Sequence, residues 1–460
     1  MTHQATTRPS SEPIDLATRT IAVVGGGASG VLTTWHLLAS SPDPALRVLL
    51  FEGSGQPGRG VAYSTTDPRH LLNVRARDMS ACPDEPSHFV AWAERAGRPV
   101  EPTGFQPRMV FGEYLTDLLA EVSGPRLEVV GHRVSDVVRR PGGFSVRSGA
   151  GEHAVESVVL AHGNAAPRSL AVDGVDLPEA SWHVANPWDA AALAGLPDDA
   201  SVVLVGSGLT AVDVAISLLE DAPRRRVVML SRQGELPRPH RVDTFTAWVT
   251  AIPTGALRAD DLADLVRAQV EAAARHDVDW RAVVDGLRGV TQSIWRRLDL
   301  EERRRFLAVH ARQWEVHRHR MAPEVADRIA AYRSQGRLTL AGGGLTSVVA
   351  AGGRCRVALP GGDVVADALV NCTGPMTDVT RTCDPLLRAL VERGTVAPDP
   401  LALGLSSTSG GLLLDRDGAV VPGLYAVGPP RKGALYESTA VPEIRVQAAE
   451  LAAHLLATTS

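Results

Sequence analysis

The most restrictive feature of this chain is a short apolar run that breaks into glycines and opens a helix, and it occurs twice. The first copy, residues 21–30, reads IAVVGGGASG. Residues 21–24 predict a strand and Gly25 a tight turn. Gly27 lets backbone approach a pyrophosphate, and Gly30 lets the following helix pack close to the strand. The helix N-terminus, with Ser29 in its first turn, then faces the phosphates. The next apolar run, residues 48–51, ends in Glu52. That acid lies 22 residues beyond Gly30, where a carboxylate can accept from a ribose 2′-hydroxyl. A glycine turn in an unrelated α/β unit is the competing reading. The strand before it, the helix after it and the acid closing the next strand weigh against that.

The second copy runs from a strand at 201–205 through Gly206-Ser207-Gly208 into a helix at 209–220, with Thr210 in the first turn and Ala211 as the small packing residue. Its next strand, 227–230, ends in Ser231-Arg232. Glu52 repels a 2′-phosphate, whereas Arg232, with Ser231 as a neighbouring donor, pairs with one through charge-assisted hydrogen bonds. The first site therefore suits FAD or NAD and the second NADP, and one chain holding both can pass a hydride from NADPH to a flavin. A solvated loop cation is the alternative for Arg232.

At 460 residues the chain predicts two or three domains. With 44% hydrophobic and 22% charged residues and a formal charge of −5, its composition is that of a soluble globular protein and speaks against bulk nucleic-acid binding. No window approaches ~18 uninterrupted apolar residues, so no membrane partner is expected. Residues 1–19 read as a disordered lead-in without a signal core, and the expected location is cytoplasmic. Cys82, Cys355, Cys372 and Cys383 form no CxxC pair and read as reduced, buried fillers. The expected fold class is α/β, with two Rossmann-like dinucleotide-binding domains. Residues 20–189 and 376–460 form the FAD domain, 190–236 and 336–375 the NADPH domain, and 237–335 a helical insertion in the latter.

Between the two copies, Gly58, Arg59 and Gly60 can bring backbone donors and a cation to a diphosphate, and Leu71, Leu72 and Asn73 can wall a planar ring. A helix is expected from Pro107, then strands at 127–130, 134–139 and 144–147 as a β-meander, then a buried strand at 158–161. The insertion is basic and Trp-rich and ends in WEVHRHRMAPE, where Arg318 and Arg320 are candidates for an anionic substrate or the cofactor phosphates, with a solvated face or a structural salt bridge as the competing reading. His317 and His319 lack a third convergent ligand, so no metal is expected. A strand at 368–371 stops at Cys372-Thr373-Gly374, and the last strand, 424–427, stops at Gly428; Gly374, Gly428 and Thr439 are expected among the cofactor-binding residues. In the terminal helix Thr439 is expected to cap, Pro442 suits the first turn, and Arg445 is a third substrate candidate.

The combination of GGGASG, GRGVAYSTTDPRHLLNV, VGSGLTAVD, WEVHRHRMAPE, VNCTGP and GPPRKGALYESTAVPEIR resembles the bacterial FAD/NAD(P)-binding family that includes FAD-dependent urate hydroxylases, and is similar to flavin monooxygenases that oxidise the aspartate amine to nitrosuccinate. The similarity runs from about residue 20 to the C-terminus. It implies FAD at the first site, NADPH at the second, and oxygen activation at flavin C4a. Carried over by position, Gly25, Gly27, Gly30 and Glu52 hold the AMP half of FAD, while Arg59, Tyr63 and Asn73 lie toward its diphosphate and ring. Gly206, Gly208, Thr210 and Arg232 hold NADPH. Two departures stand out: Gly428 is followed by Pro429 rather than Asp, and the spacing of His183 to Trp188-Asp189 is one residue longer than in Baeyer–Villiger enzymes. The expected activity is an NADPH-dependent FAD monooxygenase using molecular oxygen to hydroxylate or N-oxidise a small polar substrate, an amino acid, amine or purine-like heterocycle. An NADPH oxidoreductase without oxygen insertion and a redox-sensing flavoprotein are the alternatives.

Overall fold

Apolar runs of four or five residues without polar alternation belong to strands covered on both faces. In the computed structural model, which describes residues 19–173 and 175–458, such runs build two parallel sheets. The expected lead-in lies almost wholly outside the described residues. The first sheet has the order Leu412–Leu414, Val420–Ala426, Ser157–Leu160, Thr20–Val24, Arg47–Phe51, Leu127–Val130, parallel except for the Leu412–Leu414 edge. Alternation along one strand divides two cores. Ile21 and Val23 pack with the helices Ala28–Ser40, Arg108–Glu121 and Val441–Ala457; Ala22 and Val24 face an antiparallel ribbon built from residues 134–155 and the helix Pro385–Arg393.

The second sheet is wholly parallel, in the order His183–Val184, Ala368–Asn371, Ser201–Val205, Arg226–Leu230, Leu338–Ala341. Val202 and Leu204 pack under the helices Leu209–Asp221 and Pro323–Ser334; Val203 and Val205 meet the three-stranded sheet Val348–Ala351, Arg354–Val357, Val364–Ala366.

Four expectations need adjusting. Residues Leu127–Val130 do not open a meander: they pair with Arg47–Phe51 at the sheet edge, and the ribbon is Val134–Arg140, Gly143–Ser148 and Gly151–Val155. His183–Val184 already belongs to the second sheet, before the boundary expected near 190. The last helix of the expected insertion, Pro323–Ser334, buries Val325, Ile329 and Tyr332 in the second core and so acts as that sheet's crossover helix. Cys383 is exposed and Cys82 only half-buried, so neither is a core filler.

A strap joins the two halves. Asp67 takes both arms of Arg69 at 2.7 Å, and Arg69 reaches Asp221 at 2.8 Å. The His70 ring lies 2.8 Å from the Ser217 hydroxyl, and Arg108 pairs with buried Asp213 at 3.0 Å. Burial opposes ionisation of Asp67, but hydrogen bonds from Arg69 and Ser217 hold it well below the usual carboxylate range.

Candidate functional site

Each glycine of the first turn has a distinct reason to lack a side chain. Gly25 sits at φ +110, and a Cβ there would lie 2.5 Å from the Ala161 carbonyl oxygen. At Gly30 a Cβ would lie 1.8 Å from the Gly25 carbonyl oxygen, the close helix-on-strand contact expected. Gly27 is the N-cap of helix Ala28–Ser40, and a Cβ there would meet only the Gly60 Cα, at an ordinary contact distance of 3.5 Å, so the approach to the helix N-terminus is open. Gly60, at φ +53, begins a four-residue helix ending at Tyr63, and the Gly58 amide donates to the Gly26 carbonyl at 2.8 Å. The Arg59 turn thus folds directly over the glycine turn. Ser29 is buried, and a Cβ on Gly428 would lie 2.3 Å from its hydroxyl, which brings the end of the last strand against the first helix.

Glu52 is nearly buried; its two oxygens accept from the amides of Gly26 at 3.0 Å and Ser54 at 2.5 Å. The carboxylate is thereby fixed beneath the turn. The Tyr63 ring packs on Phe111 at 4.9 Å, and burial pushes its phenol up to about 12. The Asn73 carbonyl lies 3.2 Å from the His240 ring.

At the second turn Gly206 has φ +126, and a Cβ would lie 2.2 Å from the Cys372 carbonyl oxygen. Gly208 caps helix Leu209–Asp221 and would meet nothing within 4 Å; Thr210 follows in the first turn. Gly374, at φ +89, likewise has an open approach. Arg232 is exposed and has no ion-pair or side-chain hydrogen-bond partner among the described residues. The Ser231 hydroxyl, by contrast, is engaged within the turn, 2.9 Å from the Ser207 hydroxyl and accepting from the Gly234 amide at 3.0 Å. Sequence reasoning missed Arg312, whose guanidinium donates to the Ser207 hydroxyl at 3.3 Å and the Glu235 carbonyl at 2.7 Å. It comes from helix Ala311–Arg318, more than a hundred residues along the chain, and nothing local marked it.

The C-terminal segment holds the third part of the site. After Gly428 the chain turns through Pro429–Arg431 into a short helix, Lys432–Leu435, and then into the terminal helix. Thr439 is not the cap: the N-cap is Ala440, in extended conformation, and Thr439 stands exposed one residue outside it. Pro429 follows Gly428, and two residues further on buried Arg431 donates to the carbonyl of Ser409 at 2.6 Å and to the Gln447 side chain at 3.2 Å; burial pushes it down to about 10.

The three arginines proposed for substrate separate. Arg318 is buried and spent on a bidentate pair with Glu437 at 3.0 and 2.7 Å. Arg320 pairs with Asp285, while its Nε and one terminal nitrogen are buried without a hydrogen bond. Arg445 donates to the carbonyls of Asp78 and Ser80 at 3.4 and 3.2 Å. A small cleft opens beside the Arg318–Glu437 pair, lined by Glu315, His319, Lys432, Tyr436 and Thr439.

Two parallel sheets, each opened by a glycine turn, define a two-dinucleotide-domain flavoprotein fold. Residues 22–165 match the FAD-NAD(P)-binding family profile. Among solved structures, the chain is similar to the reduced form of ornithine hydroxylase (PvdA) from Pseudomonas aeruginosa, at 17% identity and TM-score 0.67 over 96% of this chain and 100% of that one. It is also similar to the ornithine N-hydroxylase KtzI of Kutzneria sp. 744 with reduced FAD, NADP+ and L-ornithine (17%, TM-score 0.60, 96% and 100%). A third is DfoA, the FAD-bound cadaverine monooxygenase of Erwinia amylovora (13%, TM-score 0.64, 94% and 92%). No curated protein sequence matches the chain. Among the described residues no helix is long and apolar enough to cross a membrane.

Proposed function

We propose that the chain is an FAD-dependent, NADPH-using monooxygenase that hydroxylates or N-oxidises a small, polar, nitrogen-containing substrate, an amino acid, amine or purine-like heterocycle. The observation that carries this reading is the opposite charge at the ends of two otherwise equivalent strands. Glu52 is fixed under the first turn, whereas Arg232 stands unpaired beside the second. Two cradles that select different dinucleotides suit a chain that moves a hydride between them. The FAD-NAD(P)-binding match over the first cradle supports FAD there, and the likeness to amine and ornithine hydroxylases supports oxygen insertion as the outcome.

The residues fit both groups. Gly25 and Gly30 let strand, turn and helix pack in direct contact, Gly27 leaves the approach to the helix N-terminus open, Gly60 and Arg59 add backbone and a cation over it, and Glu52 would hold a ribose. Gly208 and Thr210 present the second helix N-terminus to a pyrophosphate, Arg232 takes a 2′-phosphate, and Arg312 adds positive charge at the turn. Bound flavin supplies hydride acceptance and the chemistry with dioxygen. The Tyr63 ring packs on Phe111 of the first core and so anchors the turn that carries Arg59 and Gly60.

The test is anaerobic reduction of the FAD-loaded protein by NADPH and by NADH, followed by product analysis under 18O-labelled dioxygen with amines, amino acids and purines. Preference for NADPH together with label in an organic product supports the reading. Peroxide alone with every candidate overturns the monooxygenase assignment in favour of a plain oxidoreductase.

A further inference from the structure

The chain contains 47 lysines and arginines, and only one of them, Lys432, is lysine. The two side chains are not equivalent: lysine is a compact point charge with three rotatable donors, arginine a planar fork suited to bidentate pairing. A sequence that otherwise draws every cation as arginine keeps its one ammonium on the wall of the cleft beside Arg318 and Glu437.

That cleft has further marks of a binding site. Tyr436, a bulky residue, is held at φ +59, a conformation costing roughly 1–3 kcal/mol that persists only where surroundings enforce it. Its ring stacks on Trp295 at 4.8 Å. The hydroxyls of Tyr436 and the neighbouring Ser438 are buried without partners. The Lys432 ammonium lies 5.6 Å from the Tyr436 ring centre, which steers its stem. Arg318 and Glu437 neutralise each other. Arg288 is likewise spent, on Glu443 at 2.7 Å. What is left along the cleft is one cation, Lys432, and one carboxylate, Glu315. Both are half-buried, and neither has an ion-pair or side-chain hydrogen-bond partner among the described residues, including the other. His319 adds no charge at neutral pH, since burial and the nearby Arg318 and Lys432 push it down to about 3.

We propose that Lys432 holds a carboxylate of the substrate and Glu315 receives its amino group, so that the substrate is an amino acid. The inference rests on the monooxygenase reading above and narrows it, against a bare amine or an uncharged heterocycle. An unpaired cation and an unpaired anion lining one cleft complement a zwitterion, whereas a diamine leaves Lys432 facing like charge.

Uniqueness of the lysine gives a direct test. In the FAD-loaded full chain, an amine-reactive reagent such as acetic anhydride has Lys432 and the α-amino group as its lysine-type targets. The α-amino group serves as an internal standard for reagent consumed by free amines. Acetylation of Lys432, relative to that standard, is measured with L-aspartate, L-glutamate, L-ornithine and L-lysine, each against its α-carboxamide, and with urate. The expected result is at least fivefold protection by one of the acids and none by its amide. Protection by no acid, equal protection by acid and amide, or protection by urate alone overturns the proposal. Anaerobic bleaching of the flavin by NADPH, in the same unlabelled preparation, tests the underlying reading separately. Bleaching without protection refutes the carboxylate site alone; protection without bleaching refutes the monooxygenase reading and leaves the site standing.

Discussion

Gly206 and Gly208 stand two residues apart in one turn, yet alanine has opposite consequences at the two positions. At Gly206 the backbone is at φ +126 and the new methyl would lie 2.2 Å from the Cys372 carbonyl oxygen, so either the turn or the strand end must move by about 1 Å to restore contact distance. That is overpacking combined with a left-handed backbone, a cost of about 2–4 kcal/mol to the fold. At Gly208 φ is −80 and nothing lies within 4 Å, so the methyl meets no protein atom. Its cost to stability is only the loss of a slightly better N-cap, about 0.5 kcal/mol. The methyl instead occupies the space through which a pyrophosphate reaches the helix N-terminus. Losing one charge-assisted hydrogen bond there costs about 1.5–3 kcal/mol, or roughly a 10- to 150-fold rise in Kd for NADPH. The assay pairs thermal unfolding with NADPH titration of the FAD-loaded protein. Gly208→Ala is expected within a few degrees of the parent Tm but with weakened NADPH, and Gly206→Ala to lose stability outright. A Gly208→Ala protein that binds NADPH as tightly as the parent refutes the assignment of this turn.

Arg232→Ala is expected to weaken NADPH at least tenfold while leaving NADH within about twofold, because only the former carries the 2′-phosphate; equal losses in paired titrations remove the role of Arg232. Arg318→Met leaves Glu437 buried and unpaired, so chemical denaturation should show a loss of about 3–5 kcal/mol, with Arg318→Met/Glu437→Leu recovering much of it. Burial also holds His162 down to about 4, and His240 and His319 down to about 3. Each folded value lies below the unfolded 6.5, so below that pH the unfolded chain binds more protons. Stability is therefore full above pH 6.5 and falls as the medium is acidified toward 4, by at most about 1.4 kcal/mol per pH unit for each histidine. Denaturation midpoints measured from pH 7.5 to 5 should follow that direction, and His240→Asn should flatten the slope.

The elements readable from sequence were those whose cause is local. A glycine turn between a buried strand and a helix carries its own explanation within ten residues, and both copies form as their spacing implies. The run Leu127–Val130 was ambiguous because four apolar residues serve equally as a ribbon strand or a parallel edge, and only its partner decides. Thr439 misled for a related reason: a hydroxyl before a proline-containing helix start reads as a cap, but the backbone begins the helix one residue later. The cleft was illegible because it is assembled over long separations. Glu437 meets Arg318 across 119 residues, and without that pairing Arg318 looks like a free cation. One global signal did exist, since the single lysine can be counted in the sequence.

The first core is completed by the last part of the chain. Val420–Ala426 pairs with Ser157–Leu160, and Ile444, Ala448, Leu451 and Leu455 pack with the core built on Ile21 and Val23. During synthesis at about 5–20 residues per second, the ribosome takes roughly 15–60 s to proceed from residue 160 to residue 455. Throughout that interval the nascent first sheet has an open edge and its helices lack their cover, while the second sheet, whose strands all lie between 183 and 371, can close. The half that appears first in sequence is therefore the last to mature, and its nucleotide cradle becomes rigid only after the second is already built. Premature termination between residue 371 and the terminal helix should yield a chain with a formed second domain and an aggregation-prone first one, rather than a shortened protein of reduced activity.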